Sequence, residues 1–87
     1  MNSPLTVQLT TLAHRFRLGL SLEAIQTLPV LLEQAASESL SWPVQQQQLL
    51  PVLIKRILEQ QEREDWLALA DEIEYEFVAL LEMADKG

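Results

Sequence analysis

The chain has 87 residues, a formal charge of −7 and no cysteine, and 48% of its residues are hydrophobic. That length bounds it to a single domain, residues 1–87, with a thin core. The lack of cysteine excludes a disulfide framework, a thiolate metal centre and thiol catalysis, and the acidic balance makes nucleic acid and anionic membranes poor partners. Small secreted domains usually need covalent or metal staples, so the expected location is a reducing cytoplasm. The N-terminal stretch MNSPLTVQLTTLAH lacks the basic start and long apolar run of a signal peptide. The longest unbroken apolar run, Leu49–Ile54, is far short of a membrane span.

The charge is uneven. Residues 1–43 hold Arg15 and Arg17 against Glu23, Glu33 and Glu38, whereas residues 44–87 hold Lys55, Arg56, Arg63 and Lys86 against ten acids. Such an acidic half keeps a small domain soluble, and it also suits a basic protein partner. Glu, Gln, Leu and Ala dominate, β-branched runs are sparse and strict alternation is absent, which predicts an all-α fold.

Ser3-Pro4 reads as a cap followed by proline at the first helical position. Leu5, Leu9, Leu12 and Phe16 then make one apolar stripe. Gly19 follows as a C-terminal stop, and Arg15 and Arg17 face the negative pole of the helix dipole. Ser21 reads as the cap of a second helix with Glu23 in its first turn and a stripe of Ile25, Leu28, Leu32 and Ala35. The pattern fades in SESLS. A third segment runs from Pro43 to about Gln61 with Ser41 or Trp42 as cap, on a stripe of Leu50, Leu53, Ile54, Ile57 and Leu58.

The tetrapeptide Leu-Pro-Val-Leu occurs in both middle segments, at Leu28–Leu31 and Leu50–Leu53. Pro29 and Pro51 fall beyond the first helical turn, where each removes a backbone hydrogen bond, so each helix either kinks there or breaks and restarts. If the two segments fold back on one another, the prolines sit at equal height as a paired bend. The alternative is coincidence among Leu-rich helices.

Asp65 or Glu64 caps the last helix, which runs from Trp66 to about Ala84. Trp66, Ala70, Ile73, Phe77, Leu80 and Ala84 form its stripe, widened by Leu69 and Leu81. Asp71, Glu74, Glu82 and Asp85 line one flank, Glu72 and Glu76 the other, and Tyr75 points away from the core, either as an ordinary surface residue or as an exposed contact anchor. The expected architecture is thus a small antiparallel bundle of four helical segments, two with internal proline bends.

Residue chemistry argues against catalysis. Asp71, Glu72, Glu74 and Glu76 cluster in sequence, but a carboxylate di-metal bundle also needs Glu-x-x-His pairs, and the single histidine, His14, is not preceded by such a glutamate. This predicts a solvated acidic face and no metal or other cofactor. No nucleophile elbow or glycine-rich phosphate loop is present. HRFR and Lys55-Arg56 give too little cationic support for a nucleic-acid reader. Surface remains. Leu18, Leu20 and Leu22 around Gly19, with Val7, either cover the bundle end or form an apolar patch for a partner helix.

The stretch Asp65–Glu82, DWLALADEIEYEFVALLE, resembles the closing helix of small uncharacterised bacterial all-helical proteins. Asp65, Trp66, Ala70, Asp71, Glu74, Tyr75, Glu76 and Phe77 carry the resemblance, which covers about a fifth of the chain. Some of those proteins resemble flagellar or type III export chaperones, so the resemblance implies a non-enzymatic bacterial protein and, by analogy, a chaperone-like role. The expected function is a small acidic binding module for an amphipathic helix or basic partner. Trp42, Trp66, Asp71, Glu74, Tyr75 and Glu82 are its candidate contact residues. The rival expectations are an immunity- or antitoxin-type inhibitor of a basic toxin and a structural homodimer.

Overall fold

A computed structural model describes residues 4–86, and the surroundings of side chains 4–84. Ser3, read as the first cap, and the Asp85 side chain, placed on the acidic flank, lie outside the described residues. The described chain is helical nearly throughout, with no strand. The elements are α1 (Pro4–Arg17), α2 (Ser21–Glu38), a 3₁₀ turn (Ser39–Ser41), α3 (Val44–Glu62), α4 (Trp66–Asp71), a π-helical turn (Glu72–Phe77) and α5 (Val78–Lys86). The last three form one continuous rod, so the molecule is a bundle of four helices, measuring 35 × 24 × 19 Å.

Two turns share one geometry. At the end of α1, Leu20 N–H donates to the Arg15 carbonyl at 2.9 Å and Gly19 N–H to that of Phe16 at 3.2 Å. Gly19 has φ +83°. These paired bonds across a left-handed residue are a Schellman stop, as glycine at this position predicts. The same pair closes α3: Asp65 N–H donates to the Gln60 carbonyl and Glu64 N–H to that of Gln61, both at 3.0 Å, with Glu64 at φ +56°. Between the two cap candidates the structure therefore separates roles. Glu64 reverses the chain, and the Asp65 side chain caps α4, accepting from Ala68 N–H at 3.3 Å.

The other cap expectations are corrected. Ser21 is already helical, and Leu20 precedes it with no side-chain cap. Pro43 occupies the cap position of α3, likewise with no side-chain cap bond. Ser41 Oγ instead donates backward to the Glu38 carbonyl at 3.0 Å. Gln47 Nε2 reaches back from inside α3 to the carbonyls of Trp42, at 2.9 Å, and Leu40, at 3.3 Å. A glutamine side chain from within the helix thus ties down this corner.

The core follows the stripes of the first and last helices. Leu5, Leu9, Leu12 and Phe16 are buried against Ala70, Ile73, Phe77, Leu80 and Leu81. Fully burying each such Leu or Phe contributes about 1.5–3 kcal/mol. Trp66 stacks on Phe16 with ring centroids 5.7 Å apart and planes 12° from parallel. In α2 the buried face is Ala24, Leu28, Leu31 and Ala35, with Ile25 and Leu32 at its edge. The buried face is turned slightly from the expected stripe: Ala24 and Leu31 take the buried positions, while Leu28 and Ala35 hold theirs. In α3, Leu50, Leu53 and Ile57 are buried as expected, but Leu58 is half exposed.

α1 and the last helix are the central pair; α2 packs mainly on α1, and α3 on the last helix. Pro29 and Pro51 are exposed inside continuous helices, so neither helix breaks. The paired-bend arrangement is not formed, because α2 and α3 share little interface with each other. A groove opens between them instead.

Candidate protein-binding surface

Three of the six candidate contact residues meet one cation. Arg17, at the end of α1, donates through Nη2 to Asp71 Oδ1 at 2.9 Å and lies 3.6 Å from Glu74 Oε2. Its guanidinium carbon stands 5.9 Å from the centre of the Tyr75 ring, within cation–π range. His14 Nε2 is 3.4 Å from the other oxygen of Glu74. The hydrogen bond that Arg17 donates to Asp71 raises the Arg17 pKa, desolvation opposes it, and the nearby charges of Glu74 and Asp71 add to the rise. With a raised value, the contribution of this clasp is complete below the unfolded arginine pKa and is lost only as pH rises through the folded one. It is therefore constant across neutral pH.

The clasp explains why the acidic flank of the last helix is not uniformly solvated. Asp71, Glu74 and Tyr75 are neighbours on one helix, as their spacing foretells, and α1 brings Arg17 and His14 over them. Trp42 and Trp66 are half-buried and packed against the core, and Glu82 is exposed. Trp66 thus serves the core first.

The opposite flank holds a feature the residue spacing misses. Glu72, expected on a solvated face, is 9% exposed. Gln60 Nε2 donates to its Oε1 at 3.3 Å, and Arg56 Nη2 lies 3.8 Å from its Oε2. Glu72 opens the π turn, in which Val78 N–H donates to the Ile73 carbonyl five residues back. The widened turn and the cover of α3 together put this carboxylate indoors. Among the described residues, no group of three or more His, Cys, Asp or Glu side chains gathers in a way that could hold a metal ion. No described helix is long and apolar enough to cross a membrane.

A groove of about 640 Å³ lies between the end of α2 and the outer side of α3. Its floor is Ala36, Leu50, Pro51, Ile54 and Leu58, and Lys55, Glu59 and Glu62 stand along its edge. None of the six candidate contact residues lines it. The signal for it is the run Leu49–Ile54, LLPVLI. Six consecutive residues point in every direction around a helix, at 3.6 residues per turn, so no single buried face can hide them all. Comparison of the chain with protein-family models, with curated proteins and with solved structures yields no match.

Proposed function

We propose that this chain is a small acidic protein-binding module that acts by holding an amphipathic, basic helix of another protein, in the manner of a chaperone or adaptor. The observation that carries the reading is the α2–α3 groove, where an apolar floor lies beside Glu59 and Glu62. An apolar helix face fits such a groove, and a basic opposite face is drawn by a chain of net charge −7. Binding, rather than catalysis, is also what the residue inventory favours, since His14 is engaged with Glu74 and the sequence offers no other nucleophile-activating pair.

The test uses a synthetic Leu/Lys amphipathic helix of about five turns and a Leu/Glu counterpart, titrated into the isotope-labelled chain and followed by NMR. The Leu/Lys peptide is expected to shift resonances of Ala36, Ile54 and Leu58, and to bind more weakly as salt rises. Leu58→Asn leaves the charge unchanged and is expected to weaken binding by about tenfold. Equal binding of the two peptides, or indifference to Leu58→Asn, would refute the groove as the site.

A further inference from the structure

On the other flank of α3 a second, smaller groove of about 160 Å³ runs between α3 and the last helix. We propose that it is a two-fold interface, and that its occupant is a second copy of this chain. Leu49 and Leu53 contribute from α3, and Leu80 and Met83 from the facing helix. Leu49 and Met83 are each 48% exposed, so the apolar strip continues out of the core to the surface. At one end Arg56 and Glu76 face each other across the groove.

The register of the two helices makes this strip self-complementary. They run antiparallel, with Gln60 hydrogen-bonded to Glu72. Four residues back along α3 and four residues on along its neighbour stand Arg56 and Glu76; seven further in each direction stand Leu49 and Met83. Each pair is therefore level across the groove. A two-fold axis running along the groove lays α3 of one copy over the last helix of the other, with equal levels in contact. Arg56 then meets the second copy's Glu76, Leu49 meets the second copy's Met83, and both contacts occur twice. An isologous interface demands this reciprocity.

Two chains of net charge −7 repel one another at long range, so it is the local charge pattern of the groove that favours a second copy. This groove carries one side chain of each sign, arranged so that a copy of itself is attracted. The α2–α3 groove has Glu59 and Glu62 against a single Lys55, and a second copy there would meet like charge. Arg56 also lies near Glu72, but its side chain remains 54% exposed, leaving guanidinium N–H groups to reach across.

Sedimentation velocity on the full chain over a wide concentration range tests the proposal. The expected species is a dimer of the 9.9 kDa chain. Glu76→Arg and Arg56→Glu each place like charges in contact, and each is expected to weaken the dimer by about tenfold or more. Mixed together, the two variants are expected to form dimers with one copy of each, which a change confined to one chain would not produce. Should Arg56→Glu unfold the chain by crowding Glu72, as circular dichroism would reveal, Leu49→Lys mixed with Met83→Glu repeats the test on exposed positions. A monomer at every concentration, or a mixture no more dimeric than its separate components, overturns the proposal. Leu58→Asn leaves the dimer intact, so failure here and failure of the partner groove are read separately.

Discussion

Two left-handed residues, Gly19 and Glu64, occupy equivalent stops, yet one is suited to its backbone and the other is not. A side chain at Gly19 would touch nothing within 4 Å. Gly19→Ala is therefore expected to cost only the local strain of a left-handed L-residue, about 1–2 kcal/mol. Glu64 already carries that strain, so Glu64→Gly is expected to stabilise by about 0.5–1 kcal/mol, the gain being reduced by the looser unfolded chain. Thermal unfolding of both variants checks the pair, at roughly 4–8 °C per kcal/mol for a domain of this size. Gly19 was legible as a stop because glycine advertises a positive φ. Glu64 was not, because glutamate is an ordinary helix former and its role is set by the hydrogen bonds of Glu64 and Asp65 to Gln61 and Gln60.

Pro29 lies exposed in the middle of an unbroken α2. Proline in a helix interior is about 3 kcal/mol worse than alanine, while removing it loosens the unfolded chain by about 0.4–1 kcal/mol. Pro29→Ala is expected to stabilise by about 2 kcal/mol, read as a higher urea midpoint with an unchanged slope. A lower midpoint would mean that the core of α2 depends on a bend at this proline. The last helix carries the other irregularity. Its stripe from Trp66 to Ala84 was readable from spacing alone, since all its members except Trp66 are buried. The π turn that buries Glu72 was not, because the apolar positions Ala70, Ile73, Phe77 and Leu80 that span it keep the spacing of an ordinary α-helix.

A domain of this length has a net stability of roughly 4–13 kcal/mol, at 0.05–0.15 kcal/mol per residue. Phe77 is fully buried where the last helix meets the rest of the core. Phe77→Ala is expected to remove about 3–5 kcal/mol, enough to leave a fraction of the chain unfolded at room temperature by circular dichroism, whereas Glu82→Ala on the exposed face stays within about 0.5 kcal/mol of the parent. So narrow a margin also bears on the surface. Leu49, Val52, Leu58 and Met83 remain about half exposed, and apolar surface left outside so small a core is surface that association can still bury.

The sequence by itself determined the helical class, the inward faces of the first and last helices, the glycine stop and a cap for the last helix at Asp65 or Glu64. Each of these depends on residues within a turn or two of one another, where periodicity and local hydrogen bonding decide the outcome. Only the tertiary structure decided which helices are neighbours, and the surface follows from that choice. With α2 placed on α1 and α3 on the last helix, the prolines do not pair. Arg17 gathers Asp71, Glu74 and Tyr75 into an internal clasp, and Glu72 is enclosed. The all-round apolar run of α3 is left with one flank beside each groove. These contacts join residues far apart in the chain, whose pairing follows from how four helices share one small core.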